Sequence, residues 1–440
     1  MNVIFLFFFS NIIPSSIIQC VSFDIQKLPK TQNFNKKLYS LRNLNNDMNL
    51  IKLKSGLYTI KLLLGEHKQT FNLILDTGSC MCWVGDEKCE NCPSRNLYSP
   101  YLSNYFTKTN VELNIGYTSG RLHGYVCEDI LYINDSHHIP KFNFLLTDYA
   151  VITTKIDGIA GFMRKFTDDN TNYSIIHKLF QEKIIDNKFF VVDITNNNSN
   201  GNKFYIGEIP SYILKMINVI CLNTDNEINK HRNKYWRCPG ENYSFEGDEE
   251  KYEISSSILF DSGTNGIIIP KAQHEIFIKK VFSELIQESI CTEILHQEAI
   301  YQVQCYQDIT NIIGLKLPNL LISINGEVLV IDILRLFNIE NKEFDLYFCD
   351  NLQGWVFGIP FFEQYATLFD YDKNVVKIFL KNKDGFSFLG LKTIFWFLIF
   401  LILTCLLGGR AYIKRKMRLR SRETENFEKE ISLVSPFVDN

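Results

Sequence analysis

At 440 residues, with 46% apolar and 14% aromatic side chains, the chain is long enough to bury two cores, which excludes a disordered or fibrous protein. A formal net charge of -3, with no basic stripe ahead of the C-terminus, argues against nucleic acid as a partner.

In chain order, residues 3–9 are apolar and give way to polar and small residues through Cys20. This is the pattern of a secretory signal peptide over residues 1–20, and the apolar run is too short to span a bilayer as a retained anchor. Residues 21–54 are polar and carry Lys27, Lys30, Lys36, Lys37, Lys52 and Lys54. They read as a solvated leader or, preferably, as a pro-segment whose lysines neutralise an acidic site before activation. Strands begin at Tyr58: a run from Tyr58 to Leu64, a turn at Gly65-Glu66, and a second run over 69–75. Short apolar runs punctuated by Gly, Asn and Asp continue to Ile378. Helical periodicity is best over 174–182 and 271–288. The chain is therefore mainly β.

Within this pattern two segments match each other: Leu73-Ile74-Leu75-Asp76-Thr77-Gly78-Ser79 and Ile258-Leu259-Phe260-Asp261-Ser262-Gly263-Thr264. Each is an apolar run, read as a buried strand, that ends in a carboxylate followed by a glycine able to turn sharply. A carboxylate at the end of a buried strand is costly unless it is used or paired. Two of them brought to one interface cannot both ionise easily, so one keeps its proton and supplies an acid while the other supplies a base. Each half also carries a later segment, 155–161 in the first and 355–360 in the second, in which two non-glycine residues lead into a glycine, Gly161 and Gly358, and this extends the repeat.

Towards the C-terminus, residues 393–409 are almost continuously apolar and are followed by Arg410, Lys414, Arg415, Lys416, Arg418, Arg420 and Arg422. A transmembrane helix over 390–409 with a cytoplasmic basic tail over 410–440 follows from the positive-inside rule, and it places the bulk of the chain in a lumen or outside the cell. Of 12 cysteines, Cys20 falls in the signal and Cys405 in the span. The rest, Cys80, Cys82, Cys89, Cys92, Cys127, Cys221, Cys238, Cys291, Cys305 and Cys349, are even in number, and disulfides are expected in such a compartment. Cys221 and Cys238 pair by proximity in sequence. Four thiolates at Cys80, Cys82, Cys89 and Cys92 satisfy the ligand count for zinc, but an oxidising lumen favours bridges, and no metal or cofactor is expected. No His-Glu-x-x-His occurs and the eight histidines do not cluster. Asn134, Asn172, Asn197 and Asn242 head glycosylation triplets.

Over roughly residues 55–382 the chain resembles the pepsin family of eukaryotic aspartic proteases. Asp76-Thr77-Gly78-Ser79 with Trp83-Val84 resembles the first catalytic motif and its downstream tryptophan, and Asp261-Ser262-Gly263-Thr264 the second. Residues 113–120, with Tyr117, resemble the flap hairpin, and 368–370 with 375–378 the closing strands. The resemblance implies a bilobal β fold with a central cleft, an N-terminal lobe over 55–211 and a C-terminal lobe over 212–384. It implies a monomeric aspartic endopeptidase that cuts extended peptide or protein substrates of the secretory or endolysosomal pathway with Asp76 and Asp261 as the catalytic pair.

By the same resemblance Thr77 and Ser262 cross-brace the two loops, Ser79 and Thr264 orient the outer carboxylate oxygens, and Gly78 and Gly263 admit the close approach. Tyr117 covers the cleft, with Trp83 as partner for its hydroxyl. Cys89 would pair with Cys92 and Cys305 with Cys349, Cys80 or Cys82 would bridge to Cys127, and Cys291 would take the remaining thiol or stay free. Ile359 stands where many relatives place an Asp, which would shift the pH optimum. The C-terminal anchor resembles that of β-secretase and of membrane-bound plasmepsins of apicomplexan parasites. An inactive peptide-binding glycoprotein of this fold would show loss of either Asp, or bulk at Gly78 or Gly263, and all four residues are intact.

Overall fold

The structure, a computed structural model, describes residues 47–380 apart from 50, 53–55, 95, 118–119, 153–154, 165–172, 195–201, 215–217, 223–233, 255, 297–299, 351 and 353, together with 412–418, 420 and 422. Residues 1–381 form one compact unit and 382–440 a second. The expected signal and most of the leader lie outside the described residues, as does the expected span 390–409. Among the described residues no helix is long and apolar enough to cross a membrane. In the second unit residues 412–418 are helical and exposed.

The first unit is mainly β. Tyr58–Leu64 and Gln69–Asp76 form the expected hairpin, with Leu62 opposite Phe71 and Ile60 opposite Leu73, all buried. These strands belong to an eight-stranded sheet in the order Ile51–Lys52, Tyr58–Leu64, Gln69–Asp76, Gly158–Gly161, Trp83–Glu90, His138–Ile152, Gly120–Tyr132, Thr107–Tyr117. A further pairing of Tyr58–Leu64 with Gly120–Tyr132 curls it on itself. A second sheet runs Arg237–Pro239, Ser257–Phe260, Gly354–Phe357, Ile267–Pro270, Glu343–Cys349, Ile300–Cys305, Cys291–His296.

The internal repeat is visible in how these sheets are wired. Gly158–Gly161 inserts between Gln69–Asp76, its parallel partner, and Trp83–Glu90, its antiparallel partner. Gly354–Phe357 inserts in the same way between Ser257–Phe260 and Ile267–Pro270. The later segments of the repeat thus supply the strands that hold each Asp-bearing strand in place. Glycine is required at Gly161 because a Cβ there would press on the backbone of Cys80 and Met81.

A six-stranded sheet joins the two halves, in the order Asp47–Asn49, Lys203–Ile206, Phe189–Asp193, Tyr365–Asp370, Val375–Leu380, Asn218–Leu222. Its first strand belongs to the segment read as a leader, so part of that segment is built into the fold. An aromatic cluster packs beneath the sheet: Phe190 stacks on Phe369 at 4.9 Å, and Trp236 meets Tyr371 edge-on at 4.9 Å. Trp236 Nε1 and the Tyr371 hydroxyl both donate to the Phe162 carbonyl, at 2.9 and 3.1 Å. The two expected helices form at Ile175–Gln181, capped by Ser174, and over Lys271–Gln273 to Ser283–Gln287, where Ile278–Phe282 is wound wider than an α-helix.

The disulfides differ from expectation in both halves. Cys89–Cys92 and Cys221–Cys238 are bonded. Cys305, expected to pair with Cys349, is bonded to Cys291 instead. Strand register is the reason: Cys291 and Cys305 are directly opposite, whereas Cys349 faces Ile300 at the other end of the same strand. Cys349 is itself disulfide-bonded. Cys80, Cys82 and Cys127 are free thiols, so the expected bridge to Cys127 is absent. The strand His138–Ile152 runs between the strands that follow Cys82 and carry Cys127 and keeps them apart.

Candidate active site

Asp76 closes the strand Gln69–Asp76, and Asp261 directly follows the strand Ser257–Phe260. The two loops that follow are built alike. Gly78 N–H donates to Asp76 Oδ1 at 2.8 Å, and the Ser79 hydroxyl donates to Asp76 Oδ2. Gly263 N–H donates to Asp261 Oδ1 at 2.8 Å, and the Thr264 hydroxyl to Asp261 Oδ2 at 2.8 Å. Each carboxylate is therefore fixed by one backbone donor and one hydroxyl from its own loop.

Four further hydrogen bonds tie the loops together across more than 180 residues of sequence. Thr77 N–H donates to Ser262 Oγ at 3.1 Å, and Ser262 N–H donates to Thr77 Oγ1 at 2.9 Å. The Thr77 hydroxyl donates to the Phe260 carbonyl at 2.9 Å and the Ser262 hydroxyl to the Leu75 carbonyl at 2.7 Å. Both side chains are buried, and their removal strands backbone groups that water cannot reach. Thr77→Val should leave Ser262 N–H and the Phe260 carbonyl unpaired. We expect it to cost about 2 kcal/mol of stability, measured by denaturant unfolding; an unchanged midpoint would show that the brace contributes nothing.

The glycines set the spacing. A Cβ on Gly78 would lie 2.6 Å from the Asp261 carboxylate, and one on Gly263 would lie 2.5 Å from Asp76 Oδ1. Each carboxylate thus rests on the glycine of the opposite loop. Burial raises the pKa of both carboxyls. For Asp76 the charge of Asp261 raises it further, against hydrogen bonds from Ser79 and Gly78. For Asp261 the hydrogen bonds from Thr264 and Gly263, and the positive charge of Arg237, work against burial. The pair holds one proton readily and loses it reluctantly.

Tyr117 ends the strand Thr107–Tyr117 and faces Gly120 across the tip of a hairpin. Burial holds its phenol well above the usual range, and the charge of Asp76 adds to that. Trp83 is 1% exposed. The Trp83 indole N–H and the Tyr117 hydroxyl are both buried without a hydrogen-bond partner, so the bond expected between them is not made at bonding geometry. Ser79 and Trp83 nonetheless lie near enough to Tyr117 to ease its ionisation.

Two residues of this neighbourhood were not read from the sequence as neighbours of the carboxyl pair: Tyr235, and Cys80, which was considered only as a disulfide or zinc thiol. Tyr235 is buried, which raises its pKa; the positive charge of Arg237 works against this, and the nearby Asp261 and Asp76 add to it. Cys80 follows Ser79 directly, and burial pushes its thiol up. The Tyr235-Trp236 pair is the only sequence signal for the first, and adjacency to Ser79 is the signal that places the second beside the carboxyl pair. Ile359 is buried, and its N–H donates to the carbonyl of Thr264 at 2.8 Å, the residue whose hydroxyl donates to Asp261.

The described residues thus form a mainly β unit with duplicated strand insertions and two carboxylates brought together by cross-braced loops. The eukaryotic aspartyl protease family model matches residues 57–379. The chain belongs to that family, which makes it a hydrolase of the aspartic endopeptidase class. It is 24% identical to plasmepsin I of Plasmodium falciparum over 359 residues, covering 78% of this chain and 73% of that protein. It is 22% identical to pepsin-3 of Oryctolagus cuniculus, covering 71% and 77%. To vacuolar protease A of Arthroderma otae it is 25% identical over 231 residues, 51% of this chain and 56% of that protein.

Proposed function

We propose that the chain is an aspartic endopeptidase that hydrolyses extended peptide segments of other proteins, with Asp76 and Asp261 as its catalytic pair. A water held between the two carboxyls loses a proton to the ionised one and attacks the scissile carbonyl. The protonated one donates to the carbonyl oxygen, giving a tetrahedral diol without a covalent enzyme adduct. The shared proton is an established property of this family, and the apparent pKa values belong to the pair. The observation that carries the reading is the matched scheme of donors, one N–H and one hydroxyl per carboxylate, with each carboxylate seated on the opposite glycine.

Tyr117 and Trp83 then close the substrate site from the hairpin side, and the two related sheets form lobes on either side of a cleft. The apolar stretch over 390–409 and the cations after it support a single-pass anchor with the protease domain in a lumen or outside the cell. The relatives named vacuolar protease and pepsin support the same secretory or lysosomal setting. The test is cleavage of a peptide library by the full-length chain in detergent from about pH 4 to about pH 7, the range over which a carboxyl pair works as acid and base. We expect endoproteolytic products and inhibition by a statine-type transition-state mimic. Peptide binding without cleavage under all these conditions would sink the proposal.

A further inference from the structure

The hairpin that presents Tyr117 is not free-standing. Its second strand, Gly120–Tyr132, pairs with Thr107–Tyr117 on one side and with His138–Ile152 on the other, and both pairings reach the tip: Tyr117 faces Gly120, and Gly120 faces Ile152. Gly120 has φ +148°, and a Cβ there would collide with the Val151 carbonyl oxygen, so the outer strand packs against the tip as closely as backbone allows. The arm is three strands wide. Loosening it requires more than opening one hairpin.

His123 sits on the middle strand, three residues from the tip, and links both neighbours. Its Nδ1 lies 2.6 Å from Asp148 Oδ1 on one outer strand, and its Nε2 lies 2.7 Å from Glu112 Oε1 on the other. A neutral imidazole has one donor and one acceptor nitrogen, so it can satisfy only one of two ionised carboxylates. The imidazolium donates to both. We propose that His123 is a positioning residue for peptide hydrolysis: as a cation it ties the three strands together and so holds Tyr117 over Asp76 and Asp261. This rests on the catalytic reading above.

The groups facing His123 from each element are few. Glu112 and Asn114 lie on the first strand, and Asn114 is opposite it in register. Asp148 and Tyr149 lie on the third, with Tyr149 opposite. On its own strand Tyr125 meets the imidazole edge-on at 5.6 Å, and Arg121 is two residues nearer the tip. Lys108 lies over the Tyr125 ring at 3.3 Å. Burial pulls the pKa of His123 down, but the hydrogen bonds and charges of Asp148 and Glu112 together outweigh it, and the net shift is upward. A raised folded-state pKa means that the tie is complete below the unfolded value and is lost as pH rises through the folded one.

The experiment is steady-state kinetics of the full-length chain on a cleaved fluorogenic peptide across acid and neutral pH, for wild type, His123→Gln and Glu112→Gln. In wild type KM should rise about three- to fivefold as His123 deprotonates, the scale that two partly exposed ion pairs support, with kcat changing less. His123→Gln should show the alkaline KM at every pH, and Glu112→Gln an intermediate one. A His123→Gln variant with wild-type KM and a wild-type pH profile would overturn the proposal. Amide hydrogen exchange over residues 107–132 gives a readout that needs no catalysis. Beyond the intrinsic pH dependence, protection should fall through the histidine range in wild type and stay level in His123→Gln. Equal behaviour of the two proteins would reject the tie even if no peptide were ever cut, and a normal exchange result with no cleavage would instead reject the catalytic reading.

Discussion

Asp261→Asn and Asp76→Asn should each lower kcat by about 10³-fold or more, the upper part of the range for positioned acid–base groups, because each removes one partner from a pair that has no substitute. An amide is close to isosteric and keeps an acceptor for Gly263 N–H or Gly78 N–H, so the loops should remain in place. The loss is therefore expected in turnover, with little change in the affinity for a substrate-like peptide. A variant that retained wild-type turnover would show that the two carboxyls do not act together.

The same substitutions carry a stability signature of the opposite sign. Burial raises both carboxyl pKa values above the ordinary 3.8. A group with a raised folded-state pKa contributes stability at low pH and loses it as pH climbs through the folded value, since the buried site must then hold a charge it resists. Wild-type thermal stability should consequently fall on going from acid to neutral pH by more than that of Asp76→Asn, which has no such charge to bury. Parallel melting curves for the two proteins would contradict the raised pKa values.

How much of this was legible beforehand follows from which interactions are local. The strand from Tyr58 to Leu64, its partner through Asp76, and the loop chemistry of Asp76 to Ser79 and Asp261 to Thr264 are all set within about ten residues, and sequence patterning captures them. The second member of each repeat, ending at Gly161 and Gly358, could be placed in order but not in space; the insertion between two earlier strands is a long-range pairing. Cysteine pairing was legible for Cys89–Cys92 and Cys221–Cys238 and missed for Cys305, where strand register, which cysteine spacing does not reveal, decides the partner. Cys291 meets Cys305 because of the register of one hairpin, whereas the resemblance had directed Cys305 to Cys349, which lies at the far end of the strand pair. The Phe162, Trp236 and Tyr371 contacts and the third strand beside Tyr117 likewise depend on elements far apart in sequence.

Gly78→Ala tests the geometry itself rather than the chemistry. The added methyl would sit 2.6 Å from Cγ and both oxygens of the Asp261 carboxylate. Asp261 cannot swing aside cheaply, because Gly263 N–H and the Thr264 hydroxyl hold its two oxygens and the Thr77–Ser262 brace holds the loop. The clash must be relieved by parting the two loops. We expect kcat to fall about 10²-fold, the scale of a displacement near 1 Å at reacting groups, and stability to fall by about 1–3 kcal/mol from overpacking. Separation also weakens the repulsion that helps raise the Asp76 pKa, while burial, the larger cause, remains. The alkaline limb of whatever activity survives should therefore move to lower pH without reaching that of an isolated carboxyl. Gly263→Ala presses on Asp76 Oδ1 from the other side and should do the same. If either alanine variant kept both wild-type kcat and the wild-type pH profile, the carboxylates could not be as close as the opposing glycines require, and the shared-proton chemistry would lose its structural basis.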